Sequence, residues 1–295
     1  MKYLFLLLST IPLLGWAQED EWAQVSIKVN PVSEKIAFLE GKGGNIGVIH
    51  GDDGVMIIDD QYAPLSDKIL SAIAELSTGN LKFIVNTHYH GDHTGGNENL
   101  SADGAMVVAH EKVRDRLGTT FYSALWERDV EAQPASYWPV ITFSKDMTFH
   151  FNDEAVKVIY APNAHTDGDA IVLFANSNVM HTGDVFVRYG FPFIDIAAGG
   201  TIDGFIDAQD LILSLVNEKT KIIPGHGKLC GIEEVIKMKA MLTETRGIVA
   251  DLKKSGFTLD EVLSKNPLEP YTEQWNGNFI NTQLFTRLIF ETLPD

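Results

Sequence analysis

The stretch Asn86 to Gly96, NTHYHGDHTGG, sets His88, His90, Asp92 and His93 within six consecutive positions, directly after the apolar run Leu81 to Val85. A fold that accommodates it must end a buried strand abruptly and open into a polar turn where imidazoles converge. The alternation of His88 and His90 sends both rings to one side of an extended segment. Asp92 and His93 come from the turn that follows and can face a second point nearby. Imidazole and carboxylate are the usual ligands of zinc and similar divalent ions where water must remain bound for reaction. One histidine in such a place is ordinarily a satisfied core residue. Four ligand-type side chains together predict metal binding, and they supply half the donors of two sites.

Around this motif, short apolar segments alternate with turn signals. NIGVIHGDDGVMIIDD predicts strands over Asn45 to His50 and Val55 to Asp59, joined at Asp52, Asp53 and Gly54. PLSDKILSAIAELSTGN has helical spacing and a Gly79-Asn80 stop, LKFIV and AMVVAH read as strands, and EKVRDRLG as a short helix. The second half repeats the grammar: one hairpin turns at Asn152 and Asp153, another near Asn176 to Asn178, and KIIPGHG is a strand ending in a loop. Helices are expected in DGFIDAQDLILSLV, EEVIKMKAMLTETRGIVADLKK and the closing NFINTQLFTRLIFETL. Strand-rich halves that each carry helices predict an α/β fold, a four-layer αββα sandwich of two mixed sheets flanked by helices. VMIIDD and VMHTGD are weak internal echoes. Two aperiodic stretches, Gly118 to Lys145 and VRYGFPFIDIAAGG, are expected to be loops that wall a pocket.

Further donors stand where expected strands give way to Gly-rich loops: His165 in APNAHTDGDA, Asp184 in HTGDV and His226 in IIPGHG. With these in place the chain resembles the metallo-β-lactamase fold superfamily, whose H-x-H-x-D-H, later His, later Asp or Cys, and final G-H pattern it matches in order. The resemblance implies that His88, His90 and His165 hold one metal, that Asp92, His93 and His226 hold another, and that Asp184 bridges them. It implies two zinc ions, with iron or manganese as alternatives, and a metal-bridging hydroxide that opens an amide or ester while Asp92 orients it. Asp59, which ends GVMIID, is expected to support the ligands from behind, as carboxylates commonly do for metal-bound histidines; the plain alternative is a strand-terminating turn residue. His50, His110, His150 and His181 are taken as structural.

Substrate is less tightly specified, because this scaffold hosts many reactions. Aspartate at 184 is the choice of glyoxalase II and lactone-opening relatives, whereas zinc β-lactamases generally lack it. Some β-lactamases place a lysine for the drug's carboxylate three residues on; Val187 stands there, and Arg188 next to it is the candidate substrate anchor or a solvated surface charge. The favoured expectation is a β-lactam-type substrate. A lactonase, a glyoxalase II-like thioesterase and a mononuclear-iron persulfide dioxygenase are the alternatives.

Composition narrows the setting. A formal charge of −17 disfavours nucleic acid or an anionic membrane as partner, and a small molecule is expected instead. Lys2, the apolar run Tyr3 to Leu14, and Gly15 and Ala17 read as an export signal over residues 1–17, leaving a hydrolase domain over 18–295. That run is shorter than the roughly 20 apolar residues a bilayer span needs, so no stable membrane anchor is expected. The protein is expected in the periplasm or secreted, with no internal disulfide because Cys230 is the sole cysteine. The oligomeric state is left open.

Overall fold

Residues 21–125, 127–277 and 279–294 are described in a computed structural model; the expected export segment lies outside them. The chain opens with an antiparallel meander of β1 (Lys28–Pro31), β2 (Ile36–Glu40), β3 (Ile46–Gly51) and β4 (Gly54–Ile58). Helix α1 (Ser66–Leu76) carries it back to β5 (Leu81–Val85), parallel to β4. Two short helices, α2 (Gly91–Thr94) and α3 (Asn97–Ser101), precede β6 (Met106–His110), parallel to β5, and α4 (Glu111–Leu117) follows. A small separate hairpin of β7 (Phe121–Ser123) and β8 (Arg128–Val130) comes next, and β9 (Ile141–Phe143) pairs parallel with β6.

The second half begins with β10 (Met147–Phe151), β11 (Glu154–Tyr160), β12 (Ala170–Phe174) and β13 (Val179–His181), all antiparallel. Helix α5 (Ile202–Leu215) crosses to β14 (Lys221–Ile223), parallel to β13. Helices α6 (Ile232–Lys254), α7 (Leu259–Lys265), α8 (Thr272–Trp275) and α9 (Thr282–Thr292) complete the described chain. Among the described residues the large sheets run β1-β2-β3-β4-β5-β6-β9 and β10-β11-β12-β13-β14.

The twofold alternation of strand side chains sets the layers. In β4, Val55 and Ile57 join Ile69 and Ile73 of α1 in one apolar cluster, while Met56 and Ile58 join Val158, Val172 and Phe174 of the other sheet. In β12, Val172 and Phe174 face the intersheet core, and Ile171 and Leu173 belong with Phe205 and Ile212 of α5 and Leu242 of α6. Helices thus cover the outer face of each sheet, the four-layer αββα sandwich expected. The echo of VMIIDD in VMHTGD has a topological meaning: β4 and β13 each follow an antiparallel neighbour and precede a helical crossover to a parallel strand.

Two elements depart from expectation. The stretch Gly118 to Lys145 contains the β7–β8 hairpin and the sheet-edge strand β9 rather than loop alone. These strands have three residues each, too few to show a period. Burial on both faces explains the unbroken apolar runs in β4 and β12. The C-terminal ends of β4, β5, β11, β13 and β14 open at one rim, where the donor-bearing loops meet.

Candidate metal centre

The donors of the opening motif divide as their spacing predicts. The chain bends over residues 87–89 after β5 rather than running on as the extended segment expected; His90, at φ −62° and ψ 146°, then leads into α2, whose single turn presents Asp92 and His93. His88, His90 and His165 form one group whose ligand atoms lie within 4.8 Å of one another; Asp92, His93 and His226 form a second, and His88, His93 and Asp184 a third that joins them. Asp184 Oδ1 is 3.3 Å from His93 Nε2, and Oδ2 is 3.4 Å from His226 Nε2 and 3.9 Å from His165 Nε2. All seven expected donors therefore meet at one place.

Hydrogen bonds behind the rings fix which nitrogen faces inward. Asp59 is fully buried and its Oδ2 lies 2.7 Å from His93 Nδ1, so it accepts that N–H and leaves His93 Nε2 toward the cluster. The Thr87 hydroxyl donates to the same Oδ2 at 2.8 Å; its oxygen then accepts from His88 Nδ1 at 3.0 Å, which turns His88 Nε2 inward. His165 Nδ1 donates to the Phe193 carbonyl at 2.7 Å. His90 is reversed: its Nε2 donates to Asp195 Oδ2 at 3.0 Å, and its Nδ1 faces His165 Nε2 at 2.8 Å. Asp59 sits at φ 65° and Gln61 at φ 56°, left-handed conformations held in the loop that carries this support.

The donor set fits positive charge. Burial, then the neighbouring His93 and His165, push His88 well below the ordinary histidine range, and burial followed by His90 brings His165 to about 4. His165 therefore meets His90 Nδ1 with a bare Nε2, a contact that requires a proton or a cation between the two nitrogens. Buried His88 Nε2 and Asp184 Oδ1 have no hydrogen-bond partner. Burial opposes the charge on His226, but the Asp184 carboxylate and its hydrogen bond raise that imidazole to about 9. Burial likewise opposes ionisation of Asp92, yet His93 and His226 hold it at about 2. The chemistry is that of a divalent-cation site: His88 and His165 are held neutral with inward nitrogens, the carboxylates beside His93 and His226 raise those two imidazoles against burial so that they bind protons where a cation would sit, and buried acceptors stay unsatisfied.

Glycines make this closeness possible. A Cβ on Gly44 would fall 2.2 Å from His93 Cε1, and one on Gly225 would fall 2.0 Å from Asp184 Oδ1. The cluster floors a cavity of about 500 Å³ walled by Tyr189, Phe193 and Phe279. VRYGFPFIDIAAGG does wall the pocket, as expected, through Tyr189 and Phe193. It also delivers Asp195, which its sequence does not mark as a site residue. Asp195 accepts from Tyr89 Oη at 2.5 Å as well as from His90.

Arg188 requires a correction. Its Nη1 donates to the Lys228 carbonyl at 2.9 Å and its Nη2 lies 3.7 Å from Glu234 Oε2, and it does not line the cavity over the donors. The backbone explains this: Arg188 N donates to the His226 carbonyl at 2.9 Å, so the residue is held against the 226–229 loop with its side chain directed along it. His181 is structural as expected, with Nε2 3.0 Å from the Asn45 carbonyl, and His110 stacks on Tyr160 at 4.0 Å.

Comparisons with known proteins bear on the fold and the family. A hydroxyacylglutathione hydrolase of Nitrosococcus oceani is 30% identical over 243 residues, covering 79% of this chain and 80% of the relative. A Pelagibacter ubique protein of the same name is 31% identical over 147 residues; there the match takes in 50% of this chain and 52% of the relative, about half the length of each. Among solved structures, a metallo-β-lactamase from Pontibacter korlensis superposes with a TM-score of 0.61 at 18% identity, covering 74% of this chain and 99% of that one. The DIM-1 metallo-β-lactamase does so with 0.60 at 18% identity, covering 75% and 99%. The family model of the metallo-β-lactamase superfamily matches residues 39–226, from β2 through the last expected donor, and the chain belongs to that superfamily of metal-dependent hydrolases.

Proposed function

We propose that this protein hydrolyses a carboxylic ester or thioester, with two divalent cations, zinc foremost and iron or manganese as substitutes. His88, His90 and His165 would hold one cation and Asp92, His93 and His226 the other, with the Asp184 carboxylate, which lies between the two groups, available to both. Cations in such a site polarise a carbonyl oxygen and make a nucleophile of water near neutral pH. The observation that carries the reading is the inward aim of the imidazoles, fixed by Asp59, Thr87, Phe193 and Asp195 before any ligand arrives.

The chain's own residues supply the rest. Asp92, with its side chain 24% exposed and its pKa held at about 2, stays ionised and orients attacking water by accepting its hydrogen bond. Tyr189, Phe193 and Phe279 exclude bulk water above the reacting carbonyl. Water adds its oxygen to the acyl carbon, the acyl–oxygen or acyl–sulfur bond breaks, and the alkoxide or thiolate leaves with a proton.

Aspartate at 184 and the engagement of Arg188 with the 226–229 loop favour an ester or thioester over the β-lactam first expected. The relatives named hydroxyacylglutathione hydrolase support the same choice. The export segment expected over 1–17 would place the substrate outside the cytoplasm. Protein loaded separately with zinc, manganese and iron, and offered a thioester, a lactone and a penicillin, tests the reading. Metal-dependent turnover should be greatest for the thioester or lactone. A preference for the penicillin overturns the substrate class, and one tightly held iron with oxygen uptake on a persulfide overturns hydrolysis.

A further inference from the structure

A second cavity, of about 400 Å³, lies beside the one over the donors, and Tyr62, His90, Gly91 and Arg128 line both. Its outer wall is the β7–β8 hairpin. Cross-strand pairing sets Phe121 opposite Val130 and Ser123 opposite Arg128, and alternation turns these four side chains to the cavity while Tyr122 is 60% exposed on the other face. The cavity is therefore a built compartment that opens onto the donor set.

Its cations differ in one respect. Arg116 is committed: Nη2 donates to Asp167 at 2.9 Å, Nη1 to the Ala197 carbonyl at 3.2 Å, and the guanidinium lies 5.3 Å from the Phe121 ring centre. The Arg128 guanidinium has neither hydrogen bond nor ion pair among the described residues. No lysine lines either cavity. The nearby acids have other partners: Asp195 accepts from Tyr89 and His90, and Glu131, on the same hairpin, accepts from Thr120 at 3.2 Å. In a chain of net charge −17, an unpaired guanidinium facing the junction of two cavities offers a planar pair of donors that suits a carboxylate.

We infer that Arg128 anchors a carboxylate carried by the substrate, whose apolar body rests in the side cavity against Leu117, Phe121 and Val130. The scissile carbonyl would then lie over the donor set. Placement of the carbonyl rests on the ester or thioester hydrolase reading; the anion site itself does not.

Two measurements on the metal-loaded, full-length mature protein separate these claims. Calorimetric titration with phenylacetate, and with neutral phenylacetamide as control, is run on wild type, Arg128→Ala and Arg128→Lys. Phenylacetate affinity should fall about tenfold or more in the alanine variant and be partly restored by lysine, as expected for loss of a charge-assisted bond. The second measurement is kcat/KM for 4-nitrophenyl hemisuccinate relative to 4-nitrophenyl acetate. That ratio should fall about tenfold in Arg128→Ala, chiefly through KM. Equal phenylacetate affinity in wild type and the alanine variant places the carboxylate on the metal centre and overturns the inference, as does no binding to wild type. If neither ester is turned over, the hydrolase reading fails while the titration still decides the anchor.

Discussion

Asp59→Asn is nearly isosteric, yet it should cripple cation binding. Asp59 Oδ1 accepts the Thr87 N–H at 2.7 Å, while Oδ2 accepts from the Thr87 hydroxyl at 2.8 Å and from His93 Nδ1 at 2.7 Å. An asparagine must keep its oxygen at the Oδ1 position, because its NH₂ there would oppose the Thr87 N–H. The amide nitrogen is thereby forced against His93 Nδ1. It can donate only if that nitrogen gives up its hydrogen, which moves the ring proton to Nε2 and aims it at Asp92, Asp184 and His226. The Thr87 hydroxyl, now facing a donor, also loses its reason to accept from His88. Loss of such a supporting carboxylate typically lowers metal affinity by about 10- to 100-fold, or about 1.4–2.7 kcal/mol. Competition between the protein and a chromophoric zinc chelator reads the effect directly, with thermal unfolding of the metal-free proteins as a control for folding. Zinc affinity within about twofold of wild type in a folded Asn variant would refute the tautomer argument.

Three further outcomes follow from the same geometry. Gly225→Ala puts a methyl where Asp184 Oδ1 now sits, so it should cost about 1–3 kcal/mol of stability and weaken cation binding; unchanged zinc titration and melting would contradict the contact. Arg188→Ala removes only its links to the 226–229 loop and Glu234, so stability should fall by about 0.5–1.5 kcal/mol with no change in preference between carboxylate-bearing and neutral esters, read from kcat/KM. His226 is raised to about 9, so at neutral pH the metal-free protein binds a proton there that a cation must displace. Zinc affinity should therefore rise with pH up to about 9, by about tenfold per unit for each proton displaced, and calorimetry in buffers of different ionisation enthalpy should detect proton release.

Much of the site was legible in the sequence because the chain states it locally. His88, His90, Asp92 and His93 follow one strand, and the two-residue and one-turn spacings sort them into groups without tertiary information. His165, Asp184 and His226 each mark a strand end, a position that hydrophobic patterning reveals. Asp195 was not legible: it lies in an aperiodic aromatic loop, and its value arises only because that loop folds back onto His90, far away in sequence. Arg188 is undecided in the sequence for the opposite reason, since proximity to Asp184 along the chain says nothing about the carbonyls that claim its guanidinium. The αββα layering was legible from alternating and doubly buried strands. Three-residue strands such as β8 and β9 have no period to read, which is why Arg128 stood unmarked inside a presumed loop.

The division of donors between the sheets has a mechanical consequence. Asp59, His88, His90, Asp92 and His93 hang from the β1–β9 sheet, whereas His165, Asp184, Asp195 and His226 hang from the β10–β14 sheet and its loops. A cation held between them is a staple across the two halves, closing a loop of chain that no disulfide closes in a protein with one cysteine. With free ion at a thousand times its dissociation constant, such a staple adds about 4 kcal/mol to the folded state. Stripping the ion would loosen the seam between the sheets at the very rim where substrate must enter, so endurance and activity would be lost together.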